Sequence, residues 1–220
     1  FQQDLQNSDC ILIMGSNMAE AHPVGFQWVM EAKAKGAKVF HVDPRFTRTS
    51  ALAHRYVPIR AGSDIAFLGG IVNFILENDL HFEEYVKNYT NAPVIIGERF
   101  ADTEDLDGFF SGWDPERGEY DTTTWQYEGM EAHGAAGQRE SGFKTSGEQS
   151  GHGGHGGGLE HGEPPEEDLD LQHPRCVFQL LKKHYRRYTP ELVAEICGCS
   201  VDDFLYVAEK LCDNSGRERT

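Results

Sequence analysis

Three short polar turns carry the residues whose types and order could do chemistry: Gly15-Ser16-Asn17, Asp43-Pro44-Arg45 and Gly62-Ser63-Asp64. Each follows a short apolar run. A glycine at the first turn lets another group approach the backbone closely, and free amides where a helix begins attract an anion such as a diphosphate. An acidic residue after a second strand commonly accepts hydrogen bonds from a ribose hydroxyl, which suits Asp43. Arg45 and Arg48 could pair with a phosphate or with neighbouring acids. Asp64 is either a helix cap or a carboxylate facing a base; a guanine edge offers two parallel N–H donors that one carboxylate can accept. Each turn alone is also explained as an ordinary strand-to-helix turn, an Asx turn or a cap. Three in this order point to a nucleotide or a nucleotide-bearing cofactor.

The elements that must position these turns follow from the patterning. Ile11-Leu12-Ile13-Met14, Lys38-Val39-Phe40-His41-Val42 and Tyr56-Val57-Pro58-Ile59 read as strands. A helix is expected over 19–35, with Phe26, Val29, Met30 and Ala34 as its apolar face and Gly36 just past its end. This predicts an open parallel sheet with flanking helices, its polar turns along one edge, where such sheets bind nucleotide-like ligands. Asp64 is expected to cap a helix over 65–77, apolar enough to be buried, and Asp79 to cap an amphipathic one carrying Phe82, Tyr85 and Val86. Residues 103–128 read as an ordered but irregular loop. Residues 129–170, with runs such as Gly151-His152-Gly153-Gly154-His155, read as a flexible excursion, too poor in apolar groups to offset its ordering entropy. Helices resume with Val177, Leu180 and Leu181, at Thr189-Pro190-Glu191, and at Ser200. The expected organisation is an α/β cofactor-binding region over 1–100, an irregular to flexible Gly/His-rich insertion over 101–170, and a helical continuation over 171–220.

Composition narrows the function classes. The chain has 220 residues and a formal net charge of −16, which argues against nucleic acid as a partner, since phosphate contacts need clustered Lys and Arg. There is no run of about 18 apolar residues to span a membrane. The chain starts at Phe1 without an initiator Met and is expected to be a piece of a longer one. Its 5 cysteines form no CxxC pair and no regular framework. Cys10 and Cys176 sit in apolar segments as small core residues. There is no GxGxxG fingerprint and no GK[ST] phosphate loop. No catalytic residue and no metal ligand is assigned: His22, His41 and His54 have no Ser, Cys or carboxylate at a recognised spacing. His133, His152, His155 and His161 lack a rigid frame for a metal.

Longer motifs then become recognisable. Ile11-Leu12-Ile13-Met14-Gly15-Ser16-Asn17-Met18-Ala19-Glu20-Ala21-His22-Pro23, Val42-Asp43-Pro44-Arg45-Phe46-Thr47-Arg48-Thr49 and Gly62-Ser63-Asp64-Ile65-Ala66-Phe67-Leu68 resemble the molybdopterin oxidoreductases. Glu84-Tyr85-Val86-Lys87-Asn88-Tyr89-Thr90 and His173-Pro174-Arg175-Cys176-Val177-Phe178 resemble, more narrowly, the large subunits of respiratory, often periplasmic, formate dehydrogenases. The resemblance covers 1–128 and 171–215. It implies a bis(molybdopterin guanine dinucleotide) cofactor with molybdenum or tungsten. By motif, Gly15, Ser16, Asn17 and Glu20 would line its diphosphate, and Asp43, Arg45 and Thr47 its ribose and phosphates. Ser63 and Asp64 would sit by the guanine, with Gly62 in the same turn.

It also implies an iron–sulfur cluster whose ligands, like the metal-ligating selenocysteine or cysteine, lie outside this stretch. Formate is the implied substrate. An iron–sulfur electron-transfer subunit is the implied partner, a cytochrome a further candidate, and the periplasm the implied location, with the cytoplasm as the alternative. A nitrate reductase-like enzyme and a non-catalytic nucleotide-binding module are the competing readings.

Overall fold

The computed structural model describes residues 1–130 and 164–216. These fall into two compact units, Phe1–Phe82 with Lys182–Thr220, and Glu83–Leu181. The second unit thus starts ahead of residue 101, where the sequence changes character.

In the first unit a 3-10 helix, Gln2–Asn7, leads into β1 (Cys10–Met14). Next come α1 (Met18–Ala21), α2 (Pro23–Ala34), β2 (Lys38–Val42), α3 (Arg48–Leu52), β3 (Arg55–Val57) and α4 (Asp64–Glu77). The strands form one parallel sheet in the order β1-β2-β3, and Met14, Val42 and Val57 are register neighbours. Parallel alignment therefore sends all three following turns off the same edge.

Successive side chains alternate across the sheet, so each face has its own helices. Ile11, Ile13 and Val39 pack with Phe26, Val29 and Ala32 of α2. Phe40, Val42 and Val57 pack with Phe67 and Ile71 of α4. The same cluster takes in Val193 and Cys197 of α7 (Pro190–Cys197) and Phe204 and Val207 of α8 (Val201–Asp213). The fold is the expected α/β sheet with helices on both sides. Thr189 accepts from the Leu192 N–H at 3.3 Å, and Ser200 from the Asp203 N–H at 3.0 Å, so both late helices start where their caps predict.

Several expectations are corrected. The helix expected over 19–35 breaks into α1 and α2, because Pro23 supplies no N–H and forces His22 out of helical geometry at φ −136 and ψ 59. Ala34 faces solvent, and Ala32 takes its place in the core. Asp64 is the first residue of α4, not its cap; Ser63 precedes it and gives no side-chain cap. That helix is not buried throughout: Ile65 is 76% and Leu68 45% exposed, opposite the buried face of Phe67 and Gly70. Asp79 sits left-handed at φ 52 and pairs with Lys182 at 3.2 Å instead of capping a helix. α3, between the second turn and β3, is an element that the expected strands and helices did not include.

The second unit contains α5 (Glu83–Tyr89) and a two-residue antiparallel pair, β4 (Trp113–Asp114) with β5 (Glu119–Tyr120). Aromatics pack along the irregular stretch, Trp113 stacking on Phe109 at 5.1 Å and lying tilted against Tyr120 at 4.9 Å between ring centres. The Arg175 guanidinium donates to the carbonyls of Ile96 and Gly97. Of the segment 129–170, its described end is tied down: Glu167 bridges to Val94, and the Asp168 carboxylate accepts N–H bonds from Asp170, Gln172 and His173. Residues 131–163, with His133, His152, His155 and His161, lie outside the described residues. α6 (Val177–Tyr185) carries the chain between the units. Among the described residues no helix is long and apolar enough to cross a membrane.

Candidate functional site

The site is the carboxyl edge of β1, β2 and β3. Neighbouring strands lie about 4.8 Å apart, so the three turns form a row of roughly nucleotide-fragment width.

At the first turn Gly15 adopts φ +61, and no other atom lies within 4 Å of where a Cβ would stand. Its own N–H donates to the Val42 carbonyl at 3.1 Å. The next two amides, of Ser16 and Asn17, meet no acceptor among the described residues. An open, left-handed glycine followed by two free N–H groups suits an anion. Asn17 is held from below: its Oδ1 accepts from the Thr49 hydroxyl at 3.1 Å, which in turn accepts the Ala19 N–H at 3.0 Å. The Asn17 side-chain amide donates to Glu20, whose carboxylate also pairs with Arg48 at 3.1 Å. Asn17 and Glu20 therefore brace the turn as much as face outward from it.

At the second turn the Asp43 carboxylate is only 14% exposed. Its Oδ1 accepts the Arg45 N–H at 2.8 Å, and Tyr56 donates its hydroxyl to the Asp43 carbonyl at 2.9 Å. The Arg45 guanidinium is exposed and has no partner among the described residues. Thr47 is buried and caps α3, exchanging contacts with Ser50 in a capping box. The expectation that Thr47 faces a phosphate thus meets a hydroxyl already engaged locally.

At the third turn Gly62 adopts φ +83 with open space beside it. The buried Ser63 donates its hydroxyl to the Arg60 carbonyl at 2.6 Å, and the Cys197 thiol points at the Ser63 carbonyl at 3.5 Å. Arg60 is tied to α7, its N–H donating to the Cys197 carbonyl at 2.7 Å. Asp64 is exposed at the start of α4, with a carboxylate that no described residue engages. The edge brings all ten expected residues together. Gly15, Ser16, Arg45, Gly62 and Asp64 present free groups or open backbone; Glu20, Thr47 and Ser63 hold the turns, and Asn17 and Asp43 do both.

Sequence reasoning missed the residue at the centre of this edge. His41 is fully buried, with Nδ1 2.7 Å from the Ser50 hydroxyl and Nε2 3.0 Å from the Ser16 carbonyl. The Asp43 Oδ2 lies 3.9 Å from Nε2. Its partners come from separate elements, so no fixed spacing announces them. The available signal was a histidine inside an otherwise apolar strand. Burial lowers its pKa, against the opposing pull of the Ser16 carbonyl and the Asp43 carboxylate. The cysteines show no activated thiol: burial raises Cys10 and Cys199 to about 11. Among the described residues no three His, Cys, Asp or Glu side chains gather as a metal site.

The model of the family described as molybdopterin oxidoreductase matches residues 2–112. The chain is 45% identical over 209 residues to the formate dehydrogenase subunit alpha of Megalodesulfovibrio gigas, covering 95% of this chain and 17% of that protein. It is 42% identical over 218 residues to the formate dehydrogenase-O major subunit of Escherichia coli K12, covering 99% of this chain and 18% of that one. Among solved structures, acetylene hydratase from Pelobacter acetylenicus aligns with a TM-score of 0.49 at 17% identity, over 94% of this chain and 18% of that one. The chain thus spans less than a fifth of the curated relatives named here, at 17% and 18% of their lengths.

Proposed function

The chain belongs to the molybdopterin oxidoreductase family, and from that membership we propose that it is part of the catalytic subunit of a formate dehydrogenase. In this reading it grips one guanine dinucleotide arm of a bis(molybdopterin guanine dinucleotide) cofactor carrying molybdenum or tungsten. One observation carries the reading: three turns, each with an unengaged polar group or open glycine, leave the same edge of a parallel sheet from register neighbours Met14, Val42 and Val57. Identity of 45% and 42% to formate dehydrogenase subunits across nearly the whole chain supports formate as the substrate.

The residues divide the work by chemistry. The Ser16 and Asn17 amides and the Arg45 guanidinium supply donors to a diphosphate, and Gly15 lets it approach. The second oxygen of Asp43 accepts from a ribose hydroxyl. Asp64 accepts from the two N–H groups of a guanine edge, with Gly62 clearing the approach. Glu20, Thr47 and Ser63 keep these turns in place. The bound metal centre supplies the two-electron chemistry between formate and carbon dioxide, which is the cofactor's own. In the complete subunit an iron–sulfur cluster, with ligands outside this stretch, would carry electrons onward; an iron–sulfur electron-transfer subunit is the proposed partner, and a cytochrome a further candidate. The resemblance to respiratory enzymes supports a periplasmic location.

The test is made on the full-length protein. Denaturation should release pterin and guanosine monophosphate, with molybdenum or tungsten found by elemental analysis, and formate should reduce an artificial dye. Absence of pterin, or nitrate turnover without formate turnover, would defeat the reading. Asp64→Asn replaces one acceptor oxygen with a donor. It should weaken cofactor binding by about 1.5–3 kcal/mol, seen as reduced guanosine monophosphate release under limiting cofactor. Unchanged release would remove Asp64 from the site.

A further inference from the structure

We propose that His41 is a positioning residue whose Nε2–H holds the Ser16 carbonyl inward and so aims the Asn17 N–H outward, at the phosphate that the first turn binds. This rests on the nucleotide-binding reading above and assigns a role that the ten edge residues leave open.

The Ser16 carbonyl and the Asn17 N–H belong to one planar trans peptide unit, in which C=O and N–H point in opposite directions. The Ser16 oxygen lies 3.0 Å from Nε2 of a fully buried imidazole. The Asn17 N–H must then point away from the sheet interior, and it meets no acceptor among the described residues. A carbonyl only accepts, so Nε2 carries the proton. Nδ1 then accepts from the Ser50 hydroxyl at 2.7 Å, and the Ser50 oxygen accepts the Thr47 N–H at 2.7 Å. The groups facing the ring include Ser16 after β1, Ser50 on α3, Asp43 after β2 at 3.9 Å, and Tyr56 on β3 at 5.9 Å between ring centres. His41 thus couples the capped start of α3 to the peptide plane of the first turn. Without it that peptide is free to flip, which removes a donor and turns a carbonyl oxygen toward a phosphate.

The test compares His41→Leu, His41→Gln and His41→Asn in the full-length protein, with pterin and guanosine monophosphate content and the thermal midpoint measured on each. Gln can place an N–H₂ near the Nε2 position, whereas Asn reaches only toward Ser50. We expect cofactor content at least about tenfold lower in His41→Leu and His41→Asn under limiting cofactor, and near the parent's in His41→Gln. If His41→Leu melts far below the parent, the Gln and Asn pair decides alone. Equal content in Gln and Asn, whether high or low, overturns the assignment. A parent protein without pterin fails the nucleotide-binding reading itself, and that outcome is visible before any variant is made.

Discussion

At the residue scale, one buried imidazole ties stability to pH. The environment of His41 favours its neutral form, chiefly through burial, so its folded pKa lies below the value of about 6.5 expected in an unfolded chain. Between those two values the unfolded chain binds the proton and the folded one does not. The contribution of the neutral ring is therefore complete above about pH 6.5 and is lost as pH falls through the folded pKa, by no more than about 1.4 kcal/mol per pH unit. Amide exchange across β1 and β2, corrected for intrinsic rates, should report easier opening of this ladder at pH 5.5 than at 7.5. His41→Gln, which does not titrate, should reduce that difference. An equal slope in the parent and the variant would place the pH dependence elsewhere.

At the element scale, the helices behind the sheet meet through glycine. A Cβ at Gly70 in α4 would stand 2.5 Å from Val193 Cγ2 and 2.8 Å from Phe204 Cζ. Both neighbours are fully buried, and Phe204 packs edge-on against Phe67 at 5.5 Å between ring centres. Neither can yield without disturbing a close-packed cluster. Gly70→Ala gains helix propensity worth about 1 kcal/mol but overpacks by about 1–3 kcal/mol. A net loss is expected as faster amide exchange in α4, α7 and α8. Exchange slower than the parent's would show that the helices can spread at little cost. The same packing anchors the third turn, because Arg60 and Ser63 are bonded to the end of α7.

At the scale of the whole molecule, the proposed function gives this chain the binding of a cofactor and leaves the redox chemistry to that cofactor. The described residues hold no gathered metal-ligand set, and burial raises the thiols of Cys10, Cys176, Cys197, Cys199 and Cys212 away from the thiolate form. The 220-residue chain, assayed alone with formate and a dye acceptor, is expected to give no reduction above a heat-killed control. Turnover by this chain would overturn the assignment of the redox chemistry to other parts of the protein. Ile65 and Leu68 leave an apolar strip on α4 open to solvent. A low yield of soluble chain is expected for the same reason, read as the soluble fraction on expression.

Local chemistry makes much of this legible in the sequence. Short apolar runs, a helix-ending Gly36, and the Thr189 and Ser200 caps are short-range signals, and the elements they predict are there. The three turns were legible because each is contiguous in the chain. What only the tertiary structure decided is which polar groups are spent. Thr47, Ser63 and the Asn17 side chain look as available in sequence as Arg45 and Asp64, yet their hydrogen bonds go to neighbours in the fold. His41 is the clearest case, since Ser16 and Ser50 reach it from different elements. Hydrogen bonding depends on distance in space; sequence spacing reports that distance only within a single turn of helix or strand.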